Sequence, residues 1–313
     1  LMATVSLPLV RFKKSRLASM ETKGLIKGHI LITGGTGYIC GYLANKLMNA
    51  GYRVTTVSRS VGGNNNHICA DLTNQEALND LAKSLSSVDT IIHCAAIAHG
   101  EKPIGNHSVA DFNTLISNNI LKAFDRHQIR WIFISSISVY GELYSESSIP
   151  ITWCPKPTDS YGKGKLRDEG LFISNCSHLD ILRLMPVYDS LNLHDIRKRV
   201  FLPTTNVKIL IRPAPLYSIC NLAEVLMVVK QCMDYKSGQR IIQVGDSQPV
   251  SQWELVSWFP GRAVPVPQYL FRAMLSLLPN GLASLRNIRF MLKKLGLNNI
   301  YEVGCLELDP KEI

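Results

Sequence analysis

The stretch GHILITGGTGYICGYLANKLMNAGYRVTTVSRS, residues 28–60, decides the fold. A β-rich apolar run at 29–33 is followed by three glycines, a helical pattern over 38–49 and a second apolar run at 54–57. This β-α-β unit has about the ~30-residue length of a dinucleotide-binding motif. Glycines at the strand-to-helix turn let the backbone approach a pyrophosphate, whose charge then lies at the helix N-terminus. The stretch therefore predicts a dinucleotide site.

Two details of this stretch bear on the cofactor. Cys40 stands where the motif usually has a third glycine for close helix-to-strand packing, and we expect Gly41 beside it to relieve the crowding. At the end of the second strand, where an acidic residue would bind the adenosine ribose of NAD, the chain has Ser58 and Arg59. A hydroxyl and a guanidinium attract a 2′-phosphate, so the sequence favours NADP(H) over NAD(H). Arg59 as a solvated loop charge is the open alternative.

The alternation of strands and helices continues through the first half of the chain. Near-continuous apolar strands between helices are typical of a parallel sheet covered on both faces. We therefore predict an α/β fold with a Rossmann-type doubly wound parallel sheet. The elements expected after residue 60 are strands at 67–69, 89–96 and 130–136 and helices at 74–85 and 108–126.

The pattern changes after Leu184 to irregular, proline-containing pieces with a few helices. This change predicts a smaller C-terminal substrate lobe, interleaved with the last elements of the Rossmann domain. The expected organisation is an N-terminal extension or leader at 1–28, a dinucleotide-binding domain with the catalytic residues at 29–184 and the substrate lobe at 185–313.

Composition sets the bounds on partners. The 313 residues are 46% hydrophobic, enough for a large core, which excludes disorder as the main state. The formal net charge of +10 favours an anionic partner such as nucleic acid, a membrane surface or a phosphorylated small molecule. Part of the excess is local, because six basic residues face one acidic residue in the first 28 positions. Met20 is a candidate natural start, with residues 1–19 as a leader.

The eight cysteines lie apart, without a C-x-x-C pair, and most stand in apolar runs. We expect free thiols, a cytoplasmic protein and no zinc. The group of His93, Cys94, His99 and His107 matches no ligand spacing, so no metal site is predicted. No apolar run reaches the ~20 residues that a membrane span needs.

The stretch YGKGK, residues 161–165, places Tyr161 one helical turn before Lys165. Taken alone, it is a glycine-softened basic helix start. Together with the upstream pattern, it belongs to a longer series of motifs. In this series the chain resembles the extended short-chain dehydrogenase/reductase family, which includes nucleotide-sugar epimerases, dehydratases and reductases. The motifs follow the family order over about residues 29–260 and are TGGTGYICG, ADL, HCAA, SSISVYG, YGKGK, LRLMPVY, YSICNLAEVL and IIQVGDSQPVSQWEL.

The resemblance implies a set of site residues. The catalytic tetrad it implies is Asn113, Ser136, Tyr161 and Lys165. With Ser58 and Arg59, the cofactor-binding residues expected are Gly34, Gly35, Thr36, Gly37, Tyr38, Ile39, Asp71, Leu72, Cys94, Ala95, Ala96, Tyr161 and Lys165. The substrate-binding residues expected are Ser136, Ser138 and Arg212.

Each member of the tetrad has an expected role. Reduction of a ketone needs a proton donor, and a phenol with a lowered pKa suits this task, so Tyr161 is the acid. Lys165 stabilises the tyrosinate and holds the nicotinamide ribose. Ser136 binds the carbonyl oxygen, with Ser135 as the competing choice, and Asn113 supports the lysine through the backbone or a water.

The substrate side departs from the family pattern, because LRLMPVYDS has Pro186 at the usual Asn and Asp189 at the usual Gly. Four basic residues follow in the segment where the family binds a nucleotide diphosphate, and each is also a candidate for a solvated surface charge. They are Arg197, Lys198, Arg199 and Arg212. We choose Arg212 because it stands in the apolar strand VKILIRP.

The C-terminal run VPQYLFRAMLSLLPNGLASLRNIRFMLKKLG, residues 266–296, has an apolar stripe at helical spacing and several basic residues. It resembles family members that act on 4-keto-6-deoxy nucleotide sugars. Core packing with a solvated basic face is the first expectation. Peripheral contact with an anionic membrane or a partner surface, such as that of a homodimer, stays open.

Three functions remain open at this stage. The first is NADPH-dependent reduction of the 4-keto group of a nucleotide-diphosphate 4-keto-6-deoxy sugar. In this case the anionic partner is the nucleotide sugar and not nucleic acid. The second is an NAD-dependent nucleotide-sugar 4-epimerase. The third is a non-enzymatic NADP-binding sensor or scaffold, which would be expected to lack the tyrosine or the lysine.

Overall fold

A computed structural model describes residues 27–62, 66–97, 108–235, 238–278 and 283–308, with side chains in the last range from residue 288 onward. The expected leader at 1–19, most of the N-terminal extension, His99 and His107 lie outside this description. The side chain of Arg286, one of the basic residues of the C-terminal run, also lies outside it.

The strands are numbered in chain order. They are β1 (His29–Thr33), β2 (Arg53–Ser58), β3 (His67–Cys69), β4 (Thr90–His93), β5 (Arg130–Ser136), β6 (His178–Leu184), β7 (Val187–Tyr188), β8 (Ile209–Arg212), β9 (Leu216–Tyr217), β10 (Cys220–Asn221), β11 (Gly238–Val244), β12 (Val250–Ser251), β13 (Val264–Pro267) and β14 (Gly304–Leu308).

The helices alternate with these strands. They are α1 (Tyr38–Asn49), α2 (Gln75–Ser84), α3 (Val109–Ala123), α4 (Ser160–Asn175), α5 (His194–Arg197), α6 (Leu222–Asp234), α7 (Gln252–Ser257), α8 (Gln268–Leu277) and α9 (Ala283–Gly296). A 3₁₀ turn, Ile137–Tyr140, directly follows β5. No helix in the described ranges combines the length and apolarity needed to cross a membrane.

Eight strands form the main sheet in the order β14-β11-β6-β5-β4-β1-β2-β3. All neighbours are parallel except β11 and β14, which are antiparallel. Strand order reverses between β1 and β4, and in such sheets the ligand site lies at the carboxyl ends of the strands on either side of that point. The predicted α/β Rossmann-type parallel sheet is therefore confirmed.

Both faces of the sheet are covered, which explains why its strands read as continuous apolar runs. One apolar cluster joins α1 and α6 to one face, and a second joins α2, α3 and α4 to the other. The side chains of β1 show the division, because Ile30 and Ile32 point into the first cluster and Leu31 into the second.

The strands predicted at 29–33, 67–69 and 130–136 coincide with β1, β3 and β5. The strand predicted over 89–96 ends at His93 instead. The reason is a side-chain contact, because Thr33 Oγ1 accepts hydrogen bonds from the amides of Cys94 and Ala95 at 3.2 and 3.1 Å. These amides are thereby taken out of the sheet and form a loop at its carboxyl edge.

The chain after β6 contributes both to the main sheet and to smaller pairs of strands. Strands β11 and β14 return to the edge of the main sheet, whereas β7 pairs with β10, β9 with β12 and β8 with β13. Two further apolar clusters, around Tyr217 and around Phe271, form the interior of this C-terminal part. The division at residue 184 stays a prediction.

Candidate active site

The turn between β1 and α1 is shaped by its glycines. Gly34 has a φ of +76°, a conformation that L side chains rarely adopt, and its amide donates to Val57 O at 2.8 Å. A Cβ on Gly35 would lie 2.5 Å from Thr56 Cβ, so a side chain there would force a shift. Helix α1 begins after Gly37 without a side-chain cap. Uncapped amides beside a close-packed backbone turn fit the pyrophosphate of a dinucleotide.

The cysteine at the third-glycine position is buried between α1 and the end of β4. The thiol of Cys40 hydrogen-bonds that of Cys94, and this contact together with burial raises the pKa of Cys40 well above its usual value. Gly41 meets only Gly35 O, at an ordinary 3.9 Å. The expectation that Gly41 relieves crowding is therefore wrong, because Cys40 fills available space.

The start of α1 also faces the C-terminal part of the chain. The hydroxyl of Tyr38 hydrogen-bonds the Asp189 carboxylate, and burial together with this contact raises the pKa of Tyr38. Ile39 packs against the first apolar cluster, and Thr36 is exposed at the turn. Asp189, which stands where the family pattern usually has a glycine, therefore contacts the turn that is expected to bind the cofactor.

The end of β2 differs from the expectation for a 2′-phosphate site. Ser58 is buried, and its hydroxyl donates to Ser60 O at 2.9 Å, while His67 Nε2 lies 3.2 Å away. Arg59 is exposed, and its guanidinium lies 5.6 Å from the centroid of the Phe112 ring. The Ser58 hydroxyl is therefore held by the protein, and His67 is a neighbour that the sequence reasoning missed.

Asp71 and Leu72, the residues expected beside the adenine, lie in different environments. Asp71 is exposed and accepts hydrogen bonds from the amide and hydroxyl of Thr73, each at 2.9 Å. Leu72 is buried in the second apolar cluster, and Asn119 donates to its carbonyl at 3.3 Å. Both residues lie at the sheet edge that carries the glycine turn.

The loop after β4 completes this edge. Cys94, Ala95 and Ala96 follow His93, and a Cβ on Gly34 would come within 2.9 Å of Ala95 Cα. His93 Nδ1 lies 2.9 Å from Thr33 Oγ1, and burial followed by the charge of Lys165 lowers the pKa of His93 to about 3. His93 is therefore a neutral core residue.

The member of the tetrad on α3 makes a different contact from the one expected. Asn113 Oδ1 accepts from the amide of Ile97 at 2.7 Å, and its Nδ2 donates to Ile97 O at 3.2 Å. Asn113 thus fixes the loop after β4. A link to Lys165 through a water stays a prediction.

The two serines at the end of β5 face different environments. Ser135 is buried and donates to Glu169 Oε1 at 2.5 Å. Ser136 is half-buried, accepts from the amide of Ser138 at 3.1 Å and donates to Ser138 Oγ at 3.1 Å. Ser136 and Ser138 therefore present hydroxyls at the carboxyl edge of the sheet, which favours Ser136 over Ser135.

Tyr161 lies in the first turn of α4, next to these serines. A Cβ on Gly162 would lie 2.4 Å from Ser138 O, which shows how closely the start of α4 packs against the 3₁₀ turn. Burial, and then the carboxylates of Asp159 and Asp195, raise the pKa of Tyr161 to about 12. The expected lowering of this pKa is therefore wrong for the structure, because burial disfavours the phenolate and two negative charges lie near it.

Lys165 is directed into the sheet. Its ammonium donates to Ile134 O at 2.8 Å and lies 4.7 Å from the centroid of the Phe133 ring. The side chain is 4% exposed, and burial lowers its pKa despite the nearby Asp168 carboxylate. Contact with the Tyr161 phenol or with a ribose stays a prediction.

The basic residues of the C-terminal part are arranged differently from the expectation. Arg212 ends β8 and is exposed, with its guanidinium 5.9 Å from the centroid of the Trp253 ring. Arg199 is the buried member of the four candidates, and it lies beside Asp195, which acts on Tyr161. Arg212 is exposed because it is the last residue of β8, after three buried positions.

Three basic residues near the C-terminus bind protein groups. Arg272 pairs with Glu146 at 2.8 Å, Lys293 pairs with Glu142 at 2.8 Å, and Arg289 donates to Leu278 O at 2.6 Å. These contacts orient the three charged side chains toward the protein. Contact with an anionic membrane stays a prediction.

The glycine turn, the serine pair and the Tyr-x-x-x-Lys helix lie at one sheet edge, an arrangement similar to that of the short-chain dehydrogenase/reductase class of Rossmann proteins. Residues 30–173 match the family described as NAD dependent epimerase/dehydratase. The match covers somewhat less than half of the 313 residues, and this part of the chain is similar to that family.

Curated proteins show a similar resemblance. A probable UDP-arabinose 4-epimerase from Arabidopsis thaliana is 30% identical over 49% of this chain and 41% of its own length. The UDP-glucose 4-epimerase of Vibrio cholerae is 26% identical over 78% of this chain and 80% of its own length. The chain thus spans less than half the length of the first of these relatives.

Solved structures share the fold. The UDP-glucose 4-epimerase of Thermotoga maritima, solved with UDP-glucose, superposes with a TM-score of 0.61 and 18% identity, covering 88% of this chain and 90% of its own. At this identity, the likeness supports the Rossmann-type architecture.

Proposed function

We propose that the protein is an NAD-dependent 4-epimerase of a nucleotide-diphosphate sugar. The observation that carries this proposal is the close approach of the Tyr161 turn of α4 to Ser136 and Ser138, at the sheet edge that also holds the glycine turn. The family and both curated relatives named above act as epimerases or dehydratases, which supports 4-epimerisation over other chemistry.

The chain's own residues have distinct tasks in this proposal. Tyr161 accepts the proton of the C4 hydroxyl when the alcohol is oxidised and returns it when the ketone is reduced. In this proposal the Ser136 hydroxyl hydrogen-bonds the same oxygen and holds its position. A bound nicotinamide cofactor would accept the C4 hydride in its oxidised form, NAD⁺, and return it in its reduced form, NADH, to the opposite face.

The raised pKa of Tyr161 sets a requirement on this chemistry. A phenol with a pKa of about 12 is almost entirely protonated near neutral pH, so the phenolate that acts as the base must be stabilised during turnover. Lys165 is the residue on α4 suited to this, since it lies one turn further along the same helix.

NADPH-dependent reduction of a 4-keto sugar is the second candidate. The observation that favours it is Arg59 in place of an acidic residue at the end of β2, exposed and available to a 2′-phosphate. Against it, the Ser58 hydroxyl is donated to Ser60 O. A non-enzymatic sensor has no support, since Tyr161 and Lys165 are both present.

The test is to incubate the protein and NAD⁺ with UDP-glucose or UDP-arabinose and follow the products by NMR. The proposal predicts an equilibrium mixture of the two 4-epimers without net consumption of the cofactor. Tyr161→Phe is the matched control and should leave the substrate unchanged. Reduction of a 4-keto-6-deoxy nucleotide sugar with stoichiometric loss of NADPH, and no epimer, would support the second candidate instead.

A further inference from the structure

Two cations lie together beside the proposed site and are held there by a buried glutamine. Gln252 Nε2 donates both to Arg199 O at 2.9 Å and to Leu295 O at 2.8 Å. Its side chain is fully buried, so this bridge fixes the backbone of Arg199 against the last turns of α9. Lys294, the residue before Leu295, is thereby brought close to Arg199, and its pKa is lowered by burial and then by Arg199 and Lys198.

The charges in this group do not balance. Lys198 pairs with Asp195 at 2.5 Å, which neutralises both. Arg199 donates from Nη1 to the backbone oxygen of Asp195 at 2.9 Å, but its Nε is buried without a hydrogen-bond partner. In the described ranges neither Arg199 nor Lys294 has a carboxylate within ion-pair distance. A buried guanidinium N–H without a partner is costly unless a ligand supplies one.

This cation pair shares charged neighbours with Tyr161. Asp195 and Asp159 act electrostatically on both Tyr161 and Lys294. Helix α9 is also tied to the loop after the serine turn, because Lys293 pairs with Glu142 at 2.8 Å. Tyr161, Arg199 and Lys294 thus share Asp195 as a charged neighbour.

We infer that Arg199 and Lys294 bind a carboxylate on the sugar of the substrate, so that the substrate is a nucleotide-diphosphate uronic acid. This inference rests on the proposed function. A carboxylate at C5 is next to C4, the carbon that Tyr161 serves, whereas the pyrophosphate is attached at C1 across the ring. The guanidinium N–H and the ammonium then both gain an anionic acceptor.

The substrate pyrophosphate is the other source of an anion, and binding measurements separate the two. We would titrate UDP, UDP-glucose and UDP-glucuronic acid into the NAD⁺-loaded protein by calorimetry. Lys294→Met is the test variant, because Lys294 is only partly buried and its loss leaves the Gln252 bridge intact. Lys122→Met, at an exposed position on α3, is the matched control.

The inference predicts that the unmodified protein and Lys122→Met bind UDP-glucuronic acid about tenfold or more tighter than UDP-glucose. Lys294→Met should lose about tenfold in affinity for UDP-glucuronic acid, as expected for a charge-assisted hydrogen bond, and bind UDP and UDP-glucose as before. An equal loss for UDP would assign the cation to the pyrophosphate and overturn the inference. Equal binding of the two sugars by the unmodified protein would also overturn it while leaving the proposed epimerase standing. Failure of all three to bind would overturn the proposed function with it.

Discussion

At the scale of single residues, the phenol of Tyr161 is the most consequential group. Tyr161→Phe keeps the ring and removes the proton-transfer group, so we expect 4-epimerisation to fall by about 10²–10⁴. The affinity for NAD⁺ should change little, because the change does not touch the glycine turn. Steady-state rates and fluorescence titration of NAD⁺ measure the two effects. A variant that epimerises at the original rate would remove Tyr161 from the mechanism.

The two carboxylates near Tyr161 raise its pKa, so substitution of a carboxylate should change that pKa. Asp159 Oδ1 caps α4 by accepting from the amide of Gly162 at 2.8 Å, and its charge raises the pKa of Tyr161. Asp159→Asn keeps a capping oxygen but removes the charge, so the pKa of Tyr161 should fall. Since the phenolate is the base, the limb of the pH–rate profile that reports it should move to lower pH.

Asp159→Ala is the matched variant for this prediction. It removes the charge and the cap together, so it should show the same pH shift and lose about 1 kcal/mol of stability that Asp159→Asn retains. The measurements are pH–rate profiles and urea unfolding. A profile that does not move in either variant would show that Asp159 does not act on the phenol during turnover.

At the scale of elements, α4 is fixed to the sheet by a buried ion pair. Arg183 on β6 donates from Nη2 to Glu169 Oε2 at 2.7 Å and from Nη1 to the Tyr140 hydroxyl at 2.8 Å. Ser135 donates to the same carboxylate. The pair thus joins α4, β5, β6 and the 3₁₀ turn that carry the proposed catalytic residues.

Breaking this pair should be costly. Glu169→Gln leaves the buried Arg183 guanidinium without its counter-charge, and we expect a loss of about 3–5 kcal/mol in the free energy of unfolding. Urea unfolding is the measurement. Glu76→Gln, on the exposed start of α2, is the control and should lose about 1 kcal/mol at most. Similar midpoints for both variants would mean that the pair does not hold α4.

The sequence predicts elements well where the signal is local and poorly where it is not. Strands β1, β3 and β5 follow from their own apolar runs. The end of β4 depends on the Thr33 side chain, about 60 residues earlier in the chain. The burial of Arg199 depends on Gln252 and α9. The raised pKa of Tyr161 likewise depends in part on Asp195, which the chain brings back from the C-terminal part.

At the scale of the whole molecule, the preference for NAD⁺ or NADP⁺ is measurable as a change in the stability of the folded protein. A ligand that binds only the folded state at 100 times its Kd stabilises it by about 2.7 kcal/mol. We expect NAD⁺ to raise the melting temperature more than NADP⁺, because the Ser58 hydroxyl is already donated to Ser60 O. Arg59→Ala should then change the NAD⁺ response little. A larger response to NADP⁺ that is lost in Arg59→Ala would restore the NADP(H) prediction.

The central claim is that the hydride removed from C4 returns to the same carbon. The most direct measurement uses a UDP-sugar carrying deuterium at C4, incubated with the NAD⁺-loaded protein until the 4-epimers equilibrate. The account predicts that the product epimer keeps the deuterium at C4 and that no cofactor is consumed. Loss of the label from C4, or product formed only as NADPH is used up, would contradict it.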